Sequence, residues 1–538
     1  MASNSASTPT DASTAQAPRR AGIVLTALIL GAIVANLNLS VANVALPDIG
    51  KSLDASQTEL NLIAIGCTLG LAMSVLYLGA LGDRYGRKLM LMLGLALTLP
   101  ASAVSAWAPD GPILIGGRIF TGVAAGLAYP TTLALITALW GPGKARVKAI
   151  ALWSGIGSGG AVLGPVIAGA LLEWFWWGSV FLIAVPPALV ALALVWKFVP
   201  AHVNESTDPV DNLGGILSVV MIAALVLGLS TIAAPGQLTS SLLMMGLSLV
   251  VGAAFILRQK RARNPLYDLH YAGRRLFWVA AVSGMIVFGS LMGSLFVGQQ
   301  FLQNVLAYST LSAGFAVLPA AIMMMAVSPL SARMINALGS RDTLLVGTGF
   351  VVAAFVLMLV LWGEGTPYWQ IGLAYAILGV GVGIGLAPAS RALTSSVPVD
   401  HVGMASATSD LQRDLGGSIM QALLGSLLTA GYAAAMVTQI GESPDAAQVT
   451  SETQATLQKS FSSAQALSEQ YPQYSTEIIE AARQSFLIGA NWAYLAAIIA
   501  GLVALAIVRF AYPNKAGEIA LLKSYAQEDA ASEKAASS

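Results

Sequence analysis

The sequence has few charged residues for its length. Asp, Glu, Lys and Arg together make up 10% of the 538 residues, whereas a soluble globular protein carries about 25%. Hydrophobic residues make up 56%, and a soluble fold cannot hide that much apolar sequence behind so few charges. The composition excludes a cytoplasmic enzyme, a nucleic-acid-binding protein and a disordered chain, and it indicates a polytopic membrane protein.

Residues that build disulfides and metal sites are also scarce. Cys67 is the single cysteine of the sequence, which excludes an internal disulfide and therefore a secreted disulfide scaffold. The three histidines, His202, His270 and His401, lie far apart in predicted loops. We therefore expect no cofactor, no metal site and no enzymatic activity.

Long apolar runs are abundant instead. A membrane-spanning helix needs about 20 mostly apolar residues. Fourteen segments meet this requirement: 22–46, 59–81, 89–108, 112–139, 147–172, 178–198, 213–234, 238–257, 276–304, 311–337, 343–363, 366–391, 403–436 and 486–511. The first is too long and too rich in Asn for the apolar core of a cleaved signal peptide. Residues 1–20 and the tail after about 524 are expected to be disordered.

The placement of the basic residues supports this count of spans. With both termini in the cytoplasm, all but five of the 27 Lys and Arg residues fall in cytoplasmic segments. Lys51, Lys459 and Arg483 fall outside, and Arg118 and Arg413 lie within spans. Positive charge concentrates on the cytoplasmic side of membrane proteins, and one missed helix would reverse every later loop. We therefore expect a multi-pass protein of the bacterial plasma or inner membrane.

Two loops are unusual in length or charge. The cytoplasmic stretch 258–275 carries six basic residues, which favours anchoring to anionic lipid headgroups. The outer loop 437–485 is long, polar and acidic, and its segment from about Ser451 to Leu467 can form one short helix. This outer loop is either a passive surface loop or a lid or partner-binding element over the outer mouth.

The loop after the second span has a distinctive residue spacing. Residues 79–88 are GALGDRYGRK, and a degenerate copy, SARMINALGSRD, follows the tenth span at 331–342. Glycine allows tight turns, and carboxylates and basic groups suit helix N- and C-termini respectively. Membrane anchoring alone would explain the basic residues but not this spacing. Two similar loops at matching places indicate a duplicated bundle.

This loop resembles the signature loop of the major facilitator superfamily. The matching positions are Gly79, Gly82, Asp83, Arg84, Gly86, Arg87 and Lys88. GGRIFTGVAAGLAYPTTLAL (116–135) resembles the fourth-helix motif of that family, with its buried Arg118. GGAVLGPVIAG (159–169) resembles the fifth-helix motif of antiporters; its landmarks are Gly160, Gly164, Pro165 and Gly169.

Further segments resemble one branch of that superfamily. NLNLSVANVALP (36–47) is similar to the first-helix motif of the fourteen-helix drug/proton antiporters, and LLEWFWWGSVFLIAVP (171–186) resembles pumps that export quaternary ammonium compounds. The resemblance implies an all-α fold with two six-helix bundles and alternating access driven by the proton gradient. Its segments are a tail at 1–21, a bundle at 22–198, a linker with two inserted helices at 199–275, a bundle at 276–511 and a cytoplasmic tail at 512–538.

Two acidic residues lie well inside a predicted span. Asp410 and Asp414 are four residues apart and share a helix face, and charged groups within spans usually mark a functional site. Arg413 lies beside them, so a structural ion pair is the alternative interpretation. The resemblance favours proton coupling through Asp410, Asp414 and Arg118. A buried hydrogen-bonding post between helices is the other interpretation of Arg118.

Candidate substrate-binding residues come from both bundles. They are Asn38, Tyr129, Trp153, Gln299, Gln300, Gln303, Asp410 and Asp414. For the glutamines, hydrogen bonding between helices is the alternative interpretation. Aromatic faces and amides can hold varied amphiphiles without fixed geometry. Asn38 stands where the family's first-helix motif usually carries Asp, which argues against strong recognition of dications. Five tryptophans at span ends are expected at the membrane interface: Trp174, Trp176, Trp177, Trp362 and Trp369.

The leading hypothesis is a proton-coupled multidrug exporter for lipophilic compounds, cations among them. An exporter of lipids or endogenous amphiphiles on the same fold is the alternative, favoured by the apolar inserted pair and by Asn38. A membrane-embedded transferase would need a catalytic cluster, and no histidine has acids at a suitable spacing. A passive channel would show no proton dependence. We expect small lipophilic substrates, protons and membrane lipids as partners, no nucleic acid, and a monomer.

Overall fold

The computed structural model describes residues 20–140, 144–201, 209–234, 236–398, 402–443, 446 and 449–537. Residues 1–19, His202 and His401 lie outside this part of the chain. The helices are α1 (Ala21–Leu53), α2 (Gln57–Tyr85), α3 (Arg87–Ala106), α4 (Gly111–Leu139), α5 (Lys144–Leu172), α6 (Ser179–Leu182), α7 (Val185–Phe198), α8 (Asn212–Thr231), α9 (Leu238–Arg261), α10 (Leu269–Ala272), α11 (Arg275–Gln300), α12 (Thr310–Ala316), α13 (Leu318–Leu338), α14 (Ser340–Leu361), α15 (Tyr368–Ser395), α16 (Val402–Glu442), α17 (Ser451–Lys459), α18 (Phe461–Gln470), α19 (Ser475–Ala511) and α20 (Lys515–Ser537).

The predicted spans are all found as helix. Thirteen helical segments within the described ranges are long and apolar enough to cross a membrane. Four of these join neighbouring elements: α6 with α7, α12 with α13, α11 with a π-helical turn at Phe301–Val305, and α19 with a 3-10 turn at Pro472–Tyr474. The remaining predicted span is α5, a 29-residue helix whose segment 149–172 carries no charged residue. The chain is therefore an all-α, multi-pass membrane protein.

The helices pack into two groups with a seam between them. In the first group α2 packs along α4, α1 along α5, and α3 against α4 and α7. In the second group α16 packs along α11 and α19, and α15 along α13 and α14. The pair α8 and α9 pack on each other, and α8 covers the place where α2 of the first group meets α16 of the second.

The closest helix contact inside the first group depends on two glycines. A Cβ placed on Gly122 of α4 would lie 2.1 Å from the Cys67 carbonyl oxygen, and one placed on Gly70 of α2 would lie 2.1 Å from the Ile119 carbonyl oxygen. Real Cβ atoms do not come that close, so the backbones of α2 and α4 touch only because both positions lack a side chain. Small residues at such crossings are the usual basis of helix packing in membranes.

The first helix is longer than the sequence predicts. The predicted span ends at residue 46, before Pro47, but α1 continues through Pro47 to Leu53. Proline removes one backbone donor, yet Leu46 and Ile49 on either side are fully buried and their packing holds the helix together. Asp48 therefore lies within this helix, which the sequence prediction had left without an acid.

The two segments predicted to be irregular are largely helical. Between α16 and α19 the chain forms two helices, not the single one predicted, because Ser460 has extended backbone and its side chain caps α18 by accepting from the Ser463 N–H. The predicted disordered tail is also wrong, since α20 runs to Ser537. Its Glu518 is 7% exposed and its Asp529 pairs with Arg274, so packing on the second helix group orders the tail.

Two ends of the molecule need names. We call the end with the GALGDRYGRK loop the signature face, and the end with α17 and α18 the distal face. The membrane-spanning helices cross between them, so α16 starts at the signature face and reaches the distal face at Glu442.

The glycine contact predicts a selective packing defect. We expect Gly122→Val to lower the thermal unfolding midpoint and the yield of folded protein, because overpacking a tight contact costs about 1–3 kcal/mol or more. Gly116→Val on the same helix is the control, since its Cβ would meet no atom within 4 Å. Equal unfolding midpoints for the two variants, measured on purified protein in detergent, would contradict this account.

Candidate functional site

A cavity lies at the centre of the seam between the two helix groups. Its volume is about 130 Å³, the space of a few water molecules. The lining residues are Ala35, Asn36, Leu39, Leu71, Tyr129 and Pro165 from the first group and Phe288, Leu291, Met292, Leu295, Val317, Ala320, Ala321, Met324, Leu386, Arg413 and Asp414 from the second. Apolar side chains dominate, with a small polar cluster at one wall.

Arg413 organises this polar wall. Its guanidinium pairs with the Asp410 carboxylate, with an Nη2–Oδ1 distance of 3.0 Å. The same Nη2 donates to the Tyr129 hydroxyl of α4 at 2.9 Å, so Arg413 connects the two helix groups across the cavity. The guanidinium also lies 5.6 Å from the centre of the Tyr129 ring and 5.9 Å from that of Phe288, close enough for cation–π attraction.

Asp414 is left without such a partner. Its side chain lines the cavity and is 4% exposed, and its Oδ2 atom has no hydrogen-bond partner among the residues that the structure describes. The sequence singled out both acids but could not divide their roles, and their part in proton coupling stays a prediction. The ion-pair interpretation holds for Asp410, whereas Asp414 faces the cavity as the available carboxylate.

Other predicted substrate-binding residues lie around the cavity and do not line it. The Trp153 ring packs 5.6 Å from the Tyr129 ring, and its Nε1 donates to the Thr132 hydroxyl. The Asn38 side chain donates to the Val34 carbonyl of its own helix. The amide at the cavity is Asn36, which the prediction missed. Helix residues that are two positions apart, as these asparagines are, point in directions about 200° apart. Only one of the two can therefore face the seam.

The predicted glutamines lie nearer the distal face, where two of them join the helix groups. Gln300 accepts a 3.0 Å hydrogen bond from Gln57 of α2, and Gln303 donates a 2.9 Å bond to the Val44 carbonyl of α1. Gln299 donates to the Ala313 carbonyl within the second group. In this conformation these amides close the seam above the cavity, and their predicted contact with substrate remains a prediction.

Arg118 is fully buried and bonded to backbone. Its Nη2 donates to the Asn38 carbonyl at 2.8 Å and its Nε to the Ile63 carbonyl at 3.3 Å, while the guanidinium lies 5.3 Å from the Phe181 ring centre. These hydrogen bonds connect α4 to α1 and α2, as expected from the interpretation of Arg118 as a buried hydrogen-bonding residue between helices. No carboxylate within the described ranges pairs with it in this conformation, and its role in proton coupling remains a prediction.

The helices of the distal face reinforce the closed seam. Lys459 of α17 pairs with Asp54, which follows α1, and Glu469 of α18 pairs with Lys51 at 2.6 Å. Ser463 also donates to Asp54 at 3.3 Å. The segment α17–α18 comes from the second group, so these contacts hold it over the end of the first.

Comparison with known proteins agrees with this architecture. Residues 28–421 match the Major Facilitator Superfamily. The chain belongs to this superfamily. It is 32% identical over 93% of its length to the multidrug efflux pump LfrA of Mycolicibacterium smegmatis, covering 98% of that protein. It is 31% identical over 87% of its length to the methyl viologen resistance protein SmvA of Salmonella typhimurium, covering 93% of that protein.

Solved structures of superfamily transporters share the fold. A bacterial homologue of the human lysosomal transporter Spinster matches with a TM-score of 0.61 at 16% identity, over 91% of this chain and 96% of the other. The peptide transporter POT in complex with sulfate matches with a TM-score of 0.61 at 15% identity, over 91% and 94%. These structures share the fold, and the family match makes the chain a membrane transporter of this superfamily.

The superfamily's signature loop makes its contacts within the first group. Arg87 pairs with Asp83 at 2.9 Å and donates to the Ala134 carbonyl, and Lys88 donates to the carbonyls of Trp196 and Val199. Gly86, with φ 107°, allows the turn between α2 and α3. The other predicted positions lie on α2: Gly79 has no neighbour within 4 Å of a built Cβ, Gly82 is buried near Thr131, and Arg84 lies in the last turn.

The fifth-helix motif lies at two close contacts between helices. A Cβ on Gly164 would lie 2.5 Å from the Ser40 Oγ of α1, and one on Gly169 would lie 2.5 Å from the Thr310 carbonyl oxygen of α12. A Cβ on Gly314 would lie 2.6 Å from the Pro165 carbonyl oxygen. The α5–α12 contact belongs to the distal closure. Gly160 is in α5, but its surroundings fall outside the described part.

A side chain at Gly169 should oppose closure of the distal face. We expect Gly169→Val to lower disulfide formation between Asp54→Cys and Lys459→Cys, in a Cys67→Ser background, because the backbones of α5 and α12 can no longer meet. Gly349→Val is the control, since a Cβ there meets nothing within 4 Å. Cross-linking yields as high as in the control would show that this contact does not govern closure.

Proposed function

We propose that the chain is a proton-coupled exporter of lipophilic compounds that works by alternating access. The observation that carries this proposal is Asp414, a buried carboxylate that lines a cavity between two helix groups and has no salt-bridge partner in the described part of the chain. An ionisable group held in the membrane without a fixed partner is costly. Such a group is suited to bind and release a proton or a cation in turn.

The arrangement of charges supports competition between proton and cargo. The Asp410 carboxylate and the Arg413 guanidinium balance each other, so the cavity carries one net negative charge when Asp414 is ionised. A cationic amphiphile can then replace the proton on Asp414. The apolar walls and the rings of Tyr129 and Phe288 give such a molecule favourable surroundings without fixed geometry.

The size of the cavity supports a conformational cycle. Drug-sized ligands occupy pockets of about 300–1,000 Å³, so this cavity of about 130 Å³ must widen to admit one. The distal face is closed by hydrogen bonds of glutamine side chains and by ion pairs. Opening this face would expose the cavity to that side. In our proposal the signature face is cytoplasmic, the distal face is external, and the protein lies in the cell membrane.

The relatives support the cargo class. LfrA is named a multidrug efflux pump and SmvA a methyl viologen resistance protein, and this chain covers nearly all of each. Export of drug-like lipophilic compounds is the simplest common function. The first helix group offers Asn36 to the cavity and no carboxylate, which favours neutral or singly charged cargo over dications.

That missing acid also favours a second candidate, export of lipids or endogenous amphiphiles. A cavity with one acid and mostly apolar walls suits a neutral amphiphile as well as a cation. Transport of labelled phospholipid and of dyes by the same proteoliposomes separates the two candidates. Lipid transport without dye transport would select the second.

Substitution of the cavity acid tests proton coupling. We expect Asp414→Asn to abolish transport driven by a pH gradient in inside-out vesicles and to leave binding of neutral cargo largely intact, because an amide keeps size and hydrogen bonding but cannot titrate. Proton release on substrate addition should also disappear. Asp410→Asn should be milder and selective for cationic cargo.

The control is Glu477→Gln, a surface acid of α19 remote from the cavity, which should transport normally. We also combine Asp410→Asn with Asp414→Asn. If this double variant still concentrates substrate by proton flow, the coupling site lies elsewhere. Arg118 with Asp83 would then be the next candidate.

Labelling of single cysteines tests the orientation. In a Cys67→Ser background, we expect Glu469→Cys to react with a membrane-impermeant maleimide on intact cells, and Arg261→Cys to react only after permeabilisation. Both side chains are at exposed positions, so access to reagent depends on the side of the membrane. The reverse pattern would invert the proposed topology.

A further inference from the structure

The degenerate loop between α13 and α14 has the backbone of the signature loop. Gly339 ends α13 with φ 94°, as Gly86 ends α2 with φ 107°, and the next helix begins at the following residue in both cases. In each loop the glycine N–H donates to the carbonyl four residues earlier, Ile335 or Gly82. The two loops can therefore be compared residue by residue.

The comparison shows that the second loop has lost its charge pair. Asn336 stands at the place of Asp83, and Ser340 at the place of Arg87. Arg341, at the place of Lys88, pairs with its neighbour Asp342 at 2.9 Å. The charges that hold the first loop together are thus missing from the second.

The C-terminal helix α20 places two charges at this loop. Lys515 Nζ donates to the Asn336 carbonyl at 2.6 Å and to the Ala337 carbonyl at 3.3 Å, at the C-terminal end of α13. Glu518 Oε2 accepts from the Ser340 N–H at 3.1 Å, and its Oε1 accepts from the Ser340 hydroxyl, at the N-terminal end of α14. A cation at a helix C-terminus and an anion at an N-terminus are the arrangement that helix dipoles favour.

The fit around Glu518 is tight. A Cβ on Gly339 would lie 2.8 Å from the Lys515 Cβ, so α20 lies directly on the turn. The Tyr512 hydroxyl also donates to Glu518, at 3.3 Å. Burial, together with the nearby Glu518 carboxylate, raises the pKa of Tyr512 above its usual range, which keeps this hydroxyl protonated and able to donate.

The C-terminal part of α20 contacts the ends of two further helices, α11 and α15. Asp529 accepts from Arg274 Nη1 at 3.1 Å and also pairs with its Nη2. Arg274 precedes α11, donates to the Ser396 carbonyl at the end of α15, and is sandwiched between the rings of Tyr271 and Tyr525 at 4.7 and 4.6 Å. Through these contacts α20 joins the signature-face ends of α11, α13, α14 and α15.

We propose that α20 is an intramolecular clamp that supplies, through Lys515 and Glu518, the charges that the second signature-type loop lacks. In the first helix group the loop fixes its own helix ends. In the second group the C-terminal helix does so, and the group moves as one body because of it. The clamp belongs to the transport cycle that we propose, but its contacts are independent of any cargo.

The test removes the charges and then restores them within the loop. We expect Lys515→Ala with Glu518→Ala to lower the thermal unfolding midpoint of the purified full-length protein and to reduce transport by about tenfold, because the hydrogen bonds from charged groups to the ends of α13 and α14 are lost. Adding Asn336→Asp and Ser340→Arg recreates the Asp83–Arg87 pair of the first loop. These two changes should recover most of the midpoint and of the transport.

Lys523→Ala with Glu528→Ala is the matched control, because both side chains lie on exposed positions of α20. If the charge-removal variant does not fold, Glu518→Gln, which keeps one acceptor oxygen for the Ser340 N–H and removes the charge, is measured in its place and should lower both readouts less. An unchanged midpoint in these variants, or no recovery on adding the loop pair, would overturn the clamp. Absence of proton-driven transport in the parent protein would count against the proposed function alone, since the midpoint does not depend on cargo.

Discussion

The ion pair between Arg413 and Asp410 is the interaction on which the central site depends. It neutralises one buried acid, and the same guanidinium reaches the Tyr129 hydroxyl across the seam. Buried charges are stable only when they are paired. The pairing therefore lets α16 carry three charged residues within five consecutive positions, 410–414. It also leaves Asp414 as the group whose charge can vary, so structural and chemical roles are divided within two turns of one helix.

Backbone contact has a comparable role in the rest of the fold. At Gly122, Gly164 and Gly169 the missing side chain lets one helix touch the next. Contacts of this kind resist small deformations, since nothing between the helices can be compressed, but they separate without tearing apart interlocked side chains. Of these three contacts only the one at Gly169 joins the two helix groups, and such a surface suits the opening and closing that we propose.

The spans and the family could be predicted from the sequence, because hydropathy and motif spacing are properties of local sequence. The two acids of α16 could be singled out in the same way, and their role in proton coupling stays a prediction. Sequence analysis failed where long-range packing decides. Trp362 was expected at the membrane interface, yet it is 4% exposed and stacks on Phe301 at 5.0 Å. For Gln300 the sequence left open substrate contact or bonding between helices, and it could not name Gln57 of the other helix group as the partner. Neither partner can be inferred from periodicity, since each lies on a distant segment.

The exposed ion pairs of the distal face have a consequence for the surrounding medium. Lys51 and Glu469 are about half exposed, and attraction between such charges is screened by dissolved salt. The hydrogen bond between the side-chain amides of Gln57 and Gln300 is buried and is insensitive to salt. Rising ionic strength on that side therefore weakens the outermost layer of the closure and leaves the inner layer intact, which makes the lifetime of the closed form a function of salinity.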